Sequence, residues 1–106
     1  MKILALEVDI PGVKADQFTP QLKRAEAMRV WELYQEGIFR ELYFRQEVSN
    51  GVLIMECPDL ETAREIVDTL PLVKAGLIVF ELIPLIPYPG FARLFFHQAP
   101  PGDQPQ

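Results

Sequence analysis

"IFRELYFRQEVSNGVLIMEC", residues 38–57, decides the fold of this chain. Its first eight residues are rich in aromatic and branched side chains and alternate, Ser49-Asn50-Gly51 supplies a tight turn, and "VLIMEC" runs back. That pattern predicts two antiparallel strands joined by a hairpin, since Asn and Gly tolerate the backbone angles the turn demands. Before the hairpin, residues 22–37, "LKRAEAMRVWELYQEG", place Leu22, Val30, Leu33 and Tyr34 on one arc of a helix. Thr19-Pro20 reads as its N-cap and first helical residue, and Gly37 as its C-terminal cap. After the hairpin, Pro58 admits a second helix from residue 59 to about residue 69, with Leu60, Ala63, Ile66, Val67 and Leu70 at helical spacing, and Pro71 ends it.

The ends of the chain complete the order. Residues 2–10 alternate as a half-buried strand, with Leu4, Leu6, Val8 and Ile10 on one face and Ile3, Ala5, Glu7 and Asp9 on the other, and Pro11-Gly12 stops it. "GLIVFELIPLI" gives a last strand whose pairing Pro84 and Pro87 limit. Strand, helix, strand, strand, helix, strand is the ferredoxin-like βαββαβ arrangement, an α+β fold with both helices on one face of an antiparallel sheet. The other face would expose Val52, Ile54, Leu77, Val79 and Ile83. A homodimer or larger homo-oligomer, with two sheets packed face to face as a dimeric α+β barrel, would cover them. Residues 1–86 therefore read as one domain. Residues 87–97, "PYPGFARLFFH", read as a C-terminal arm on a neighbouring subunit or sheet edge, and residues 98–106 as a disordered tail.

Composition narrows the function classes. With 106 residues, 49% hydrophobic and 24% charged, the chain is long enough for one core and too short for two. A net charge of −5 and the lack of any basic run argue against nucleic acid or an anionic membrane as partner. No stretch approaches the ~20 apolar residues of a membrane span, and "MKILALEV" reads as a strand rather than a signal peptide. A single cysteine, Cys57, cannot form an intrachain disulfide, which makes the cytoplasm the expected compartment. The chain shows no phosphate-cradling glycine loop, zinc spacing or nucleophile triad, so neither cofactor nor metal is expected.

One residue breaks the helical pattern. Glu26 falls between Val30 and Leu33 on the apolar arc of the first helix. A carboxylate sent there without partners either shifts its pKa or weakens the fold. Two readings follow: a structural carboxylate, paired with Lys23 or Arg29 or reaching a backbone amide, or a partly desolvated acid–base group. Glu7, Glu56 and Glu81 form a second acidic set that would meet at the barrel rim beside Arg40 or Arg45. Cys57 and most of Trp31, Tyr34, Phe39, Tyr43 and Phe44 read as core or interface, with Tyr34 or Tyr43 as pocket-lining candidates, and His97 as an interface or surface side chain.

"QLKRAEAMRVWELYQEGIFRELYFR" followed by "ECPDLETAREIVDTLPL" resembles the muconolactone isomerase family, small dimeric α+β barrels that assemble into rings and act in the breakdown of aromatic compounds. The shared pattern is Val8 with Pro11, Leu22-Lys23, Glu26, Glu36-Gly37, Arg40, Leu42, Pro58 and Leu70-Pro71-Leu72, spanning residues 8–82. The resemblance implies a cofactor-independent isomerase in which Glu26 moves the proton that shifts a lactone double bond. Beside it, Lys23 and Arg40 are expected to bind an anionic group of the substrate or to moderate the charge of Glu26, and Tyr43, as a pocket-lining residue, completes the expected substrate-binding set. The chain departs from the family at Ile3, Ala5, Leu77 and Val79, where family members carry polar or charged groups, and at Lys74-Ala75 and Leu85-Ile86. The family's dicarboxylic lactone is therefore not carried over. The alternative function is a non-catalytic oligomeric protein that keeps the barrel for a small apolar ligand. A cofactorless oxygenase of the related antibiotic-biosynthesis type is a third, for which the chain shows no motif.

Overall fold

The fold is described from a computed structural model, for residues 1–95. Strands β1 (Lys2–Asp9), β2 (Phe39–Phe44), β3 (Gly51–Glu56) and β4 (Ile78–Leu85) form one sheet in the order β2-β3-β1-β4, every pair antiparallel. Helix α1 (Pro20–Gln35) and helix α2 (Leu60–Val67) fill the two crossovers, which is the βαββαβ order expected. Each helix starts where its sequence signals. The Thr19 hydroxyl accepts the Leu22 N–H at 3.2 Å, and the Asp59 carboxylate accepts the Thr62 N–H at 2.7 Å, each meeting one of the orphan amides of a first helical turn. Gly37, at φ +78°, turns the chain out of α1 in a conformation that a Cβ would strain.

Pro71 does more than end the second helix. It opens a short helix α3 (Pro71–Lys74), because a ring that fixes φ and lacks an N–H suits a first helical position as well as it stops a preceding one. The core lies between the sheet and the helices. Ile3 and Ala5 of β1, Phe39, Leu53, Met55, Ile78 and Phe80 meet Leu33 of α1 and Ala63 and Val67 of α2. Leu77 belongs to this core, not to the open face where alternation placed it, since it precedes β4 and the strand's period does not yet hold it. An irregularity between Phe39 and Glu41 lets Phe39 pair with Met55 and Leu42 with Leu53 on the covered face. Tyr34 is exposed, so the buried arc of α1 is narrower than the sequence implied.

On the other face Leu4, Leu6, Val52, Ile54 and Ile83 are half-buried and Val8 and Val79 exposed. After β4 the chain turns once more at Gly90–Leu94, where the rings of Tyr88 and Phe91 meet edge to face at 5.1 Å. Ile86, Phe91, Leu94 and Phe95 are left largely exposed by this chain. Phe96 and His97 of the expected arm, and the expected tail at 98–106, lie outside the described residues. Among the described residues no helix is long and apolar enough to cross a membrane.

Candidate functional site

Beside the core, between α1, the β2–β3 hairpin and the start of α3, the covered face opens into a cavity of about 780 Å³. Phe18, Val30, Phe44 and Phe80 give it an apolar wall, and its charged lining is Glu7, Asp9, Lys23 and Glu26. The size suits a small metabolite rather than a polymer.

Glu26 reaches the cavity from the middle of α1. Its Oε1 accepts the Leu72 N–H at 3.0 Å. Leu72 follows Pro71 at the start of α3, so its amide is the first that helix has to satisfy, and Glu26 satisfies it from another element. Burial holds the Glu26 carboxyl above the usual carboxylate range, against the lowering effect of the Leu72 bond, and the charge of Glu7 raises it further.

Glu7 comes from β1, on the face of Ile3 and Ala5. Its Oε1 accepts the Gly51 N–H at 2.9 Å, and its backbone carbonyl accepts from Asn50 Nδ2 at 3.4 Å. Gly51 is buried, and a Cβ added to it would stand 3.3 Å from that same Oε1, so the lack of a side chain makes room for the carboxylate. Burial raises the Glu7 pKa, the Gly51 bond lowers it, and Asp9 raises it. Two carboxyls from different elements thus line one cavity. Each has one oxygen on a backbone amide.

Of the residues singled out in the sequence, Glu26 and Lys23 line this cavity together. Tyr43 borders it, but pairs in register with Val52 of the open face and donates its hydroxyl to Glu41 Oε1 at 2.8 Å. Arg40 stands apart, in a shallow depression with Tyr34 and Glu41, and its Nε donates to the Gly37 carbonyl just past the end of α1. Arg29 turns from Glu26 to Glu32, at 3.2 Å, and to Thr69 Oγ1, at 3.0 Å. The rim set of Glu7, Glu56 and Glu81 does not assemble. Glu56 pairs with the Met1 amine at 2.8 Å and Glu81 sits opposite Leu6 on the open face, because strand parity separates both from Glu7. Among the described residues no three metal-binding side chains come together. Glu7 is the cavity residue that sequence reasoning misassigned, although its shared parity with Ile3 and Ala5 was the available signal.

A family model described as YCII-related domain matches residues 1–86. In structure the chain is similar to muconolactone isomerase, with a TM-score of 0.66 at 21% identity, over 84% of this chain and 92% of that one. It is also similar to 5-chloro-2-hydroxyhydroquinone dehydrochlorinase from Burkholderia phenoliruptrix AC1100, solved in complex with 2,5-dihydroxybenzoquinone. There the TM-score is 0.64 at 19% identity, over 81% of this chain and 94% of that one. At such identity the likeness is one of fold. No curated protein sequence matches the chain.

Proposed function

The chain belongs to the YCII-related domain family, and from that premise and its cavity we propose a cofactor-independent isomerase that moves a proton on a small carbonyl or lactone metabolite, with Glu26 as acid–base. The observation that supports this most is Glu26 itself, half-buried in a cavity, accepting one hydrogen bond from the Leu72 N–H, with its pKa raised by burial. A carboxylate in that state takes a proton from carbon next to a carbonyl more readily than a solvated one does, because its basicity lies nearer neutral pH. Lys23 on the next turn of α1 supplies a positive charge for the oxygen that becomes an enolate. Both similar enzymes are named for chemistry on small oxygenated compounds. We place the protein in the cytoplasm, where a lone cysteine held protonated by burial stays reduced.

Incubation in D2O with butenolides and cyclic ketones, followed by proton NMR, tests the reading. Wild-type protein is expected to exchange the protons next to the carbonyl of at least one, and Glu26→Gln to lose that exchange. Binding of a lactone by wild type with no exchange would instead favour the non-catalytic ligand-binding protein, which the apolar wall of the cavity also suits.

The same reading takes a second copy of the chain across the open face, since Leu4, Leu6, Val52, Ile54 and Ile83 form a continuous half-buried surface there. Light scattering should then give at least twice the chain mass, and Leu6→Glu should reduce it. A monomeric wild type would refute the assembly.

A further inference from the structure

We propose that the cavity selects an uncharged ring over an anionic one: its substrate carries a carbonyl together with a hydroxyl or amide group, and no carboxylate. The inference rests on the reading above only in taking this cavity as the substrate site. The sequence, with Lys23 and Arg40 both expected to meet an anionic group, points the other way. The tertiary structure removes most of what such a group would need.

An anion taken out of water needs cations or free N–H groups converging on it. Here such groups are already engaged. Arg40 donates to the Gly37 carbonyl, and Arg29 to Glu32 and to Thr69. Two residues of the cavity lining, Leu72 at the start of α3 and Gly51 at the start of β3, offer backbone amides of the kind that would hold a substrate carboxylate. Each amide already holds a carboxylate of the protein itself, Glu26 at 3.0 Å and Glu7 at 2.9 Å. Among the described charged groups of the lining, Lys23 alone is positive, against Glu7, Asp9 and Glu26. In the proton transfer above its charge serves the carbonyl oxygen, so nothing positive is left over for a second anionic group.

The carboxyls also act on one another. Burial raises the pKa of Glu7 and of Glu26, and the charge of Asp9 adds to the first as the charge of Glu7 adds to the second. An anionic ligand would bring a further negative group into this set and lose its own hydration as well. An uncharged ring avoids both costs. A glutamate that keeps its proton donates to a carbonyl oxygen, and one that has lost it accepts from a hydroxyl or an amide N–H, so neutral polar groups are served in either state. The ring itself fits against the apolar wall of Phe18, Val30, Phe44 and Phe80.

The probes are two butenolides of one shape, a carboxymethyl butenolide and its carbamoylmethyl counterpart. Amide NMR titration of the full chain, followed at Leu72 and Gly51, reads their binding and needs no turnover. At neutral pH and low salt the carbamoyl compound should bind at least about tenfold more tightly than the carboxylate. Asp9 lines the cavity from the exposed end of β1 and takes no part in the proton transfer, so Asp9→Asn removes one lining charge and should narrow that ratio by about two- to fivefold. Equal binding of the two, tighter binding of the carboxylate, or no shift at either amide with millimolar carbamoyl compound overturns the selectivity. A ratio that Asp9→Asn leaves unmoved overturns it too, since the preference would then not come from charge. Hydrogen exchange in D2O, followed on the same samples, keeps the two readings apart. Preference for the carbamoyl compound without exchange refutes the isomerase and supports the selectivity, whereas exchange with equal binding supports the isomerase and refutes the selectivity.

Discussion

The two faces of the sheet carry carboxylates of one chemical kind in opposite states. On the covered face Glu7 and Glu26 share a cavity, and burial holds both above their usual range. On the open face Glu56 lies beside the Met1 amine, which holds it below that range. The apolar residues divide in the same way: Ile3, Ala5 and Met55 are closed under helices, while their neighbours Leu4, Leu6 and Ile54 are half-buried. The difference teaches that residue type sets what a side chain is able to do and the covering layer sets what it does. A carboxylate in water with a cation nearby is an anchor. The same group under a helix with one amide for company keeps its proton to higher pH.

The sharpest way to break the comparison is through packing. Phe39→Ala on the covered face should lower the stability measured by urea unfolding by about 3–5 kcal/mol, because it empties a fully buried ring site. Val79→Ala on the open face should change it by no more than about 0.5 kcal/mol in a dissociated chain, and by more in the homodimer proposed above, which covers that face. A large cost at Val79 would mean that the open face is covered in solution.

Glu26→Gln tests the electrostatic half. The amide keeps an oxygen for the Leu72 N–H and removes the charge that burial opposes, so at neutral pH thermal unfolding should show a gain of about 0.5–2 kcal/mol. A loss would make Glu26 a structural anion and move it into the class of Glu56.

The faces should also separate by pH. A carboxyl with a raised folded pKa binds its proton more tightly folded than unfolded, so from Glu7 and Glu26 stability falls as pH rises from the ordinary value of 4.5 through their raised values. Glu56, with a lowered folded pKa, contributes stability that is present above 4.5 and lost as pH falls through its depressed value. Melting temperature against pH should therefore decline on both sides of the region just above 4.5. Glu26→Gln should flatten the upper side alone.

The smallest expected effect is at Gly51. Gly51→Ala places a Cβ 3.3 Å from Glu7 Oε1, pushing the carboxylate off the amide by a few tenths of an ångström. Stability should change by less than about 1 kcal/mol, since the lost unfolded-chain freedom offsets part of the crowding. The Glu7 midpoint should rise further, because the Gly51 bond is what lowers it. An unmoved midpoint in carboxyl-carbon NMR would separate that bond from the proton affinity of Glu7.

Much of this architecture was legible because it is local. Thr19-Pro20, Gly37 and Asp59 act through backbone groups a few residues away, and alternation in β1 and β3 records which face is covered. The hairpin was legible too, although its turn spans residues 45–50 and Gly51, expected in the turn, is already in β3 and pairs with Phe44. The misplacement of Glu26 on its helix was visible for the same reason, as a break in a local period. Its partner was not. Whether Glu26 would meet Lys23, Arg29 or an amide depended on where α3 docks, and the sequence showed Pro71 as a stop rather than as the start of the helix whose amide Glu26 accepts. Arg40 had the right charge for a site, yet the backbone irregularity beside Phe39 and the nearby Gly37 carbonyl claim it. Glu7 carried the parity of Ile3 and Ala5 from the outset, but only the closure of α1 and the hairpin over β1 brings it into one cavity with Glu26. Caps, turns and periods are properties of neighbouring residues. A cavity is a property of surfaces that meet from distant parts of the chain, and its proton affinities come from the burial that their meeting creates.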